Sequence, residues 1–423
     1  MMYRAGALAV MIAVLVAACA RGEMTTRPTT ASAPGVIALV GGRVQPAPDA
    51  PVLADGVVLI ERGLITAVGA RNDVRVPAGA RVLDCAGATV TAGFWNSHVH
   101  FTQSVWNDAD SAPAERLAAG LRAMLTSYGV VGVVDTGSYL PNTMALRRRI
   151  EAGEIRGPAI LTAGGGFAPE NGSPYYLLPS RLPELTRPEM TDATVTAAID
   201  AGVDVIKLFT GSWATRETIV VMPVEIVRAA VEAAHRRGKL VFAHPSNSPG
   251  ARAAIEGGVD VLAHTFPTER DGPWDRSLPG RMRERGMALV PTLKLWPYEG
   301  GKLAAPPAVV ERVLANGEAQ ARAFADLGGQ ILFGTDVGYM TEYDPTDEYV
   351  YLQRAGLSYA QILATLTTAP AARLGMDARA GRVAPGLAAD VVVVQGDPAR
   401  DIRALGRVRY TLRGGAVIFP GGE

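Results

Sequence analysis

Cysteine is scarce in this chain, and neither sign of charge is in excess. The 423 residues include 2 cysteines, at positions 19 and 85. A segment that ends at Cys19 has the pattern of a signal peptide, so Cys85 would remain alone and could form no internal disulfide. Lysine plus arginine equals aspartate plus glutamate, at 41 each. No charge excess therefore attracts nucleic acid or an anionic membrane surface, and we expect neither as a partner.

Long hydrophobic runs are also scarce. Arg4 precedes a mostly apolar run over residues 5–18, which is too short for a permanent membrane helix and is typical of a secretory signal. The run ends in Leu15-Val-Ala-Ala-Cys19, which resembles a bacterial lipobox, although an apolar run can also end in cysteine by chance. We expect residues 1–19 to be a lipoprotein signal peptide and residues 20–35 a flexible tether. The protein would then be exported and face the periplasm, with a lipid as its membrane anchor.

The middle of the chain alternates strand and helix patterns eight times. The predicted strands cover residues 94–101, 130–135, 159–163, 205–209, 240–243, 261–264, 288–292 and 331–336. Four of the intervening helical patterns begin at a proline, whose fixed φ suits the first helical turn: 113–127, 223–237, 249–258 and 306–327.

This alternation predicts an α/β fold in which residues 91–379 form a closed parallel (β/α)8 barrel of the TIM type, because an all-parallel sheet must be covered by helices. The alternative is an open doubly wound sheet, but no dinucleotide-binding fingerprint follows the first strand. Short β-like runs separated by glycines occupy residues 36–90 and return in residues 380–423. We expect the two ends to pair in one small β-sandwich domain, because isolated strands bury little surface.

Two of the chain's five histidines lie one residue apart, at the end of the first predicted barrel strand. Alternate side chains of a strand share a face, so His98 and His100 point the same way while Val99 packs behind them. Two imidazoles at a strand end supply half of a metal site. The alternative is a pair of buried histidines that only make local hydrogen bonds.

Four more residues of the right chemical types follow at later strand ends, namely Lys207, His244, His264 and Asp336. In a barrel these ends form one rim, and enzymes with this barrel fold carry their active sites there. Imidazoles and carboxylates bind divalent ions such as zinc, and a bound ion lowers the pKa of water to about 7. A lysine buried beside cations would be driven neutral, and a neutral lysine can react with carbon dioxide to form an anionic carbamate. The fifth histidine, His235, ends a helix and is not expected to bind metal.

The order His-x-His, Lys, His, His, Asp resembles the binuclear branch of the amidohydrolase superfamily, including its imidazolonepropionase and prolidase-like members. The resemblance covers nearly all of the mature chain and includes the run Gly381-Arg-Val-Ala-Pro-Gly-Leu-Ala-Ala-Asp-Val391. It implies two divalent ions, with zinc expected. His98, His100 and Asp336 would hold one ion, His244 and His264 the other, and carboxylated Lys207 would bridge them. Catalysis would depend on Lys207 and on Asp336 as the proton carrier.

The expected activity is hydrolysis of C–N amide bonds in small molecules of the dipeptide or N-acyl amino acid type. Hydrolysis of an ester, lactone or cyclic amide at the same site is an alternative, and a lipoprotein that only binds a ligand is another. Lys294 lies two residues beyond Thr292, so it would face the barrel if that strand continued and would otherwise be solvated. Polar and aromatic residues of the rim loops are the candidates for substrate binding: Lys294, Arg270, Trp213, Asn247 and Tyr339. No feature of the sequence indicates an oligomeric state.

Overall fold

A computed structural model describes residues 35–269 and 273–420 of the chain. The predicted signal peptide, the tether up to residue 34 and Arg270 lie outside the described residues. Within the described ranges, no helix combines the length and apolar character needed to cross a membrane.

The strands follow one another along the chain as β1 Ile37–Val44, β2 Leu53–Glu61, β3 Leu64–Ala70, β4 Arg81–Asp84, β5 Ala88–Ala92, β6 Phe94–Val99, β7 Val130–Asp135, β8 Ala159–Thr162, β9 Ala168–Pro169, β10 Glu184–Leu185, β11 Val205–Phe209, β12 Gly211–Trp213, β13 Ile219–Val221, β14 Leu240–His244, β15 Val261–Ala263, β16 Ala288–Val290, β17 Gln330–Ile331, β18 Val391–Gln395, β19 Val408–Arg413 and β20 Ala416–Phe419. The α-helices are α1 Ala114–Met124, α2 Leu140–Glu151, α3 Pro188–Asp200, α4 Val224–Arg236, α5 Ser248–Gly257, α6 Leu278–Glu284, α7 Leu295–Lys302, α8 Pro307–Asp326, α9 Thr346–Arg354, α10 Tyr359–Leu366 and α11 Thr368–Arg373.

The two ends of the chain contribute to one eight-stranded sheet, in the order β20-β19-β18-β5-β1-β2-β3, with β4 paired to β1. The junction is the antiparallel pairing of β5 with β18, in which Thr91 lies opposite Val392. Apolar side chains from both ends, such as Leu39, Val90 and Val393, are buried together in one cluster. This long-range burial holds together strands that are about 300 residues apart in sequence.

Eight strands in the middle of the chain form two parallel sheets, β6-β7-β8 and β11-β14-β15-β16-β17. Backbone hydrogen bonds connect the sheets on both sides. On one side the Asp204 amide donates to the Thr162 carbonyl at 2.8 Å, and on the other the Ser97 amide donates to the Phe333 carbonyl at 2.7 Å. Helices cover the outside; α4, for example, buries Ile226, Val227 and other apolar residues on one face.

Each predicted central strand overlaps a strand of the structure, but the eighth is shorter than expected. Regular pairing ends at Ile331, whereas the sequence predicted a strand to Asp336. Gly334 lies so close to β6 that an added Cβ would be 2.9 Å from the Cβ of His98. Asp336 itself has a φ of 62°, so the backbone leaves the extended conformation just where this carboxylate is presented. The small ribbons β9–β10 and β12–β13 were not predicted.

Candidate metal centre

The structure brings the candidate metal ligands together at the carboxyl ends of the central strands. His98 lies in β6, Lys207 in β11 and His244 at the end of β14, and His264 follows β15 directly. The ring centroid of His264 is 4.5 Å from that of His98 and 4.7 Å from that of His244. The ring of His100 is 5.2 Å from that of His98. Parallel strands place their carboxyl ends on one face, which explains why residues far apart in sequence meet here.

His98, His100 and Asp336 form the tightest group, since their ligand atoms all lie within 4.8 Å of one another. The Oδ1 atom of Asp336 is 2.8 Å from Nε2 of His100 and 3.4 Å from Nε2 of His98. Both ring nitrogens of His98 and Oδ1 of Asp336 are buried without a hydrogen-bond partner among the described residues. Buried polar atoms without partners carry a large desolvation cost, so we expect these atoms to bind a further partner.

The hydrogen bond of His100 indicates that this partner is a cation. Its Nδ1 lies 2.7 Å from the carbonyl oxygen of Gly137, which can only accept, so Nδ1 carries a hydrogen. In the neutral ring, Nε2 then presents a lone pair towards Oδ1 of Asp336. Burial lowers the pKa of His100, but its contact with Asp336 outweighs burial and raises the pKa, so this pair attracts positive charge, which a divalent metal ion can supply. His98, His100 and Asp336 therefore suit a metal ion by both chemistry and geometry.

The remaining imidazoles are held in their neutral form, which is the form that binds metal. Burial, followed by the charge of Lys207, lowers the pKa of His98 and of His244 from 6.5 to about 3. Burial, followed by the charge of His98, lowers the pKa of His264 well below its ordinary value. Burial opposes the negative charge of Asp336, but the nearby histidines outweigh it and hold the pKa of this carboxyl well below its usual range.

Lys207 is the one lysine of this group, and it is 2% exposed. Burial lowers the pKa of its amine from 10.5 to about 7, although the negative charge of Asp336 acts in the opposite direction. Its Nζ is 5.6 Å from the ring centroid of Phe209, so one side of the amine faces an apolar ring. Burial therefore favours the neutral amine at this position, as the sequence predicts for a lysine buried here.

Comparison with known protein families shows the family of this chain. The sequence model of the amidohydrolase family matches residues 89–418, which contain every candidate ligand named above. The chain belongs to the amidohydrolase family. The resemblance inferred from the order His-x-His, Lys, His, His, Asp is thereby confirmed.

One relative of this amidohydrolase is an uncharacterized protein of Mycobacterium bovis, which is 28% identical over 216 residues. That match covers 49% of the chain and 55% of the relative, so the chain spans about half the length of the curated relatives it matches. Among solved structures, the amidohydrolase is similar to a presumed prolidase from Bifidobacterium longum, with 26% identity, a TM-score of 0.76 and coverage of 92% of this chain and 96% of that one. A Xaa-Pro dipeptidase with bound methionine has 23% identity, a TM-score of 0.77 and coverage of 90% and 99%. These similarities imply a TIM-barrel-like α/β fold.

Asp135 supports the amidohydrolase site but was missed by the sequence analysis. This carboxylate ends β7, is wholly buried and accepts hydrogen bonds from the Ser138 hydroxyl at 2.5 Å and the Gly137 amide at 3.2 Å. It also accepts from the Thr162 hydroxyl at 2.7 Å. These bonds fix the turn whose Gly137 carbonyl meets His100. The only signal in the sequence was an acidic residue at the end of a fully apolar strand.

Asn96 is a second residue that supports the site. Its Oδ1 accepts hydrogen bonds from the backbone amides of His98 and Thr335, each at 3.2 Å. Its Nδ2 donates to the Thr335 hydroxyl at 2.7 Å. Asn96 thus ties the strand that carries His98 to the segment that presents Asp336.

The predicted substrate-binding residues are spread around the rim of the amidohydrolase. Asn247 caps α5, because its Oδ1 accepts from the Gly250 amide at 2.8 Å. The Tyr339 hydroxyl lies 2.8 Å from both Glu299 Oε1 and Lys302 Nζ, so its ring has a fixed position. Trp213 is half-buried in β12. Arg270 lies outside the described residues.

The structure corrects the reasoning about Lys294. Strand β16 ends at Val290, so it does not continue to Lys294, which instead caps α7. Nor is the side chain solvated, because Lys294 is 6% exposed. Its Nζ donates to the carbonyl oxygens of Asp344 at 2.7 Å and Glu342 at 3.4 Å. The ammonium group is thus committed to the loop that follows Asp336, and its binding of a substrate carboxylate stays a prediction.

Proposed function

We propose that this chain is a metal-dependent hydrolase of C–N amide bonds in small molecules of the dipeptide or N-acyl amino acid type. One observation carries the proposal: in a buried site, Asp336 Oδ1 lies 2.8 Å from Nε2 of His100, and the other ring nitrogen of His100 donates to the Gly137 carbonyl. Family membership supports amide hydrolysis, and the similarity to the presumed prolidase from Bifidobacterium longum supports a dipeptide-like substrate.

In this proposal His98, His100 and Asp336 would hold one divalent ion, His244 and His264 would hold the other, and carboxylated Lys207 would be a ligand of both. The donor set of imidazoles and carboxylates suits zinc. When bound, such ions lower the pKa of water to about 7 and so make a hydroxide nucleophile available at neutral pH.

The chain's own residues then have separate tasks. Asp336 is ionised at neutral pH, since its pKa is held well below the usual range, so it can take a proton from the attacking water. The same carboxyl can pass that proton to the leaving nitrogen. Asp135, through Gly137, keeps the ring of His100 in place while the charge around it changes.

We also propose the finer architecture that the sequence predicts. Residues 91–379 would form a closed (β/α)8 barrel, which the hydrogen bonds at both edges of the two parallel sheets support. Residues 36–90 and 380–423 would form a separate β-sandwich domain, which the pairing of β5 with β18 supports. The location is a further proposal from the sequence: an exported lipoprotein anchored through Cys19, for which cell fractionation is the test.

The activity is tested by incubating zinc-loaded protein with dipeptides and N-acyl amino acids, beside matched esters and lactones. We expect amide hydrolysis that a chelator abolishes and zinc restores, and a loss of about 1,000-fold or more in Asp336→Asn, because the proton carrier is gone. Asp326→Asn, at the end of a surface helix, is the matched control and should keep full rate. Turnover of lactones without amides, or chelator-resistant turnover, would contradict the proposal.

A further inference from the structure

Thr292 has an unusual backbone conformation beside the candidate metal centre. It follows β16 by two residues, its side chain is fully buried, and its φ is 47°. The left-handed region is strained for any β-branched residue, because the Cβ substituents crowd the backbone. Glycine would adopt this conformation freely. A strained threonine at this place indicates that its side chain has a task glycine could not perform.

The hydrogen bonds of Thr292 show what this task is. Its Oγ1 donates to the carbonyl oxygen of Pro291 at 2.8 Å, and a carbonyl can only accept. The hydroxyl has one hydrogen, so towards His264 it can only act as an acceptor. Nδ1 of His264 lies 2.7 Å from Oγ1 and must therefore carry a hydrogen. Nε2 is left as the ring nitrogen with the free lone pair.

The position of His264 makes this tautomer consequential. The residue has a φ of 72°, so its backbone is also in the left-handed region. Its ring lies between those of His98 and His244, with centroid distances of 4.5 and 4.7 Å. A hydrogen bond at Nδ1 keeps the ring in one orientation, so Nε2 points in a constant direction. Hydrogen-bond partners of metal-binding histidines contribute strongly to metal affinity in proteins.

We propose that Thr292 is a positioning residue that fixes His264 in the tautomer and ring orientation required to bind a divalent ion. The inference rests on the proposed metal centre, and it adds a residue that touches neither metal nor substrate. The strained backbone of Thr292 aims Oγ1 at His264, and the Pro291 carbonyl sets the direction of the hydrogen bond.

The experiment compares zinc affinity in Thr292→Val and Thr292→Ser by competition with a chelator, together with zinc content after dialysis. Valine keeps the branched shape but has no acceptor, so we expect it to bind zinc about 10- to 100-fold more weakly than wild type. Serine keeps the hydroxyl and should stay close to wild type. Thr89→Val is the control, because it removes a hydroxyl that donates to the Gly396 carbonyl at the eight-stranded sheet. It should leave zinc affinity unchanged.

Wild-type affinity in Thr292→Val, or equal losses in the serine and valine variants, would overturn the role of Thr292 while leaving the metal centre standing. Failure of the wild-type protein to bind zinc would instead remove the proposed function itself. Thr292→Ala lacks the hydroxyl and adds no bulk, so it is read in the same way if the valine variant does not fold.

Discussion

At the scale of single residues, the scarcity of histidine made the candidate site predictable. The chain has five histidines, and four of them end strands in the sequence pattern. The fifth, His235, pairs with Asp260 at 2.9 Å on the surface, as expected of a histidine outside the site. Asp135 and Thr292 could not be found in this way, because threonines and aspartates are frequent in the chain. Their roles depend on hydrogen-bond directions that only the fold defines.

Lys207 gives a prediction at the same scale. Its side chain is buried, and burial lowers the pKa of the amine to about 7, so the neutral form that could accept carbon dioxide is available near neutral pH. We expect Lys207→Ala to lose bound zinc and to slow turnover by about 100-fold or more, since the bridging ligand is removed. Short carboxylic acids such as acetate should restore part of both.

The matched control for this prediction is Lys239→Ala, because Lys239 lies in the loop between α4 and β14, away from the site. Zinc content and turnover are measured on both variants. A Lys207→Ala protein with full zinc and normal turnover would mean that this lysine is not a ligand.

At the scale of elements, the order of strands and helices followed from hydrophobic periodicity, while the ends of elements did not. Helices were predicted to begin at four prolines. Three of these prolines, including Pro113 and Pro306, lie one residue before the first helical residue. The larger error was at Lys294, because the strand does not continue to this residue and its side chain is not solvated either. The chain turns at Thr292, whose φ is 47° and whose side chain contacts His264, and a local pattern carries no information about such a distant contact.

The loop after Asp336 gives the prediction for this scale. Gly338 has a φ of 99°, and a Cβ added there would lie 1.7 Å from the carbonyl oxygen of His100. Gly338→Ala should therefore push apart the segments that carry His100 and Asp336. We expect the free energy of unfolding to fall by about 2 kcal/mol or more, together with weaker zinc binding.

Chemical denaturation and zinc titration measure both effects. Gly280→Ala is the control, because a Cβ at this position in α6 would meet nothing within 4 Å and alanine favours a helix. If Gly338→Ala were as stable as Gly280→Ala and bound zinc normally, the close contact between the loop and His100 would not matter.

At the scale of the whole molecule, the family and its TIM-barrel-like α/β fold were predictable because several independent signals agreed. Eight apolar strands, the helices between them and the ligand order all indicated one architecture. The strand-like sequence patterns at both ends of the chain suggested that these ends pair, but the register of β5 with β18 depends on contacts across the whole chain. The small ribbons β9–β10 and β12–β13 are too short to give a periodic signal.

In the proposed function, one chain binds two divalent ions through the residues at the carboxyl ends of its central strands. Elemental analysis of the purified protein, after zinc loading and dialysis, tests it most directly. We expect about two zinc ions per chain in the wild-type protein and their removal by a strong chelator, since imidazoles, carboxylates and a carbamate are suitable ligands. A dialysed protein that contains no divalent metal and yet hydrolyses amides at the same rate with or without a chelator would contradict it.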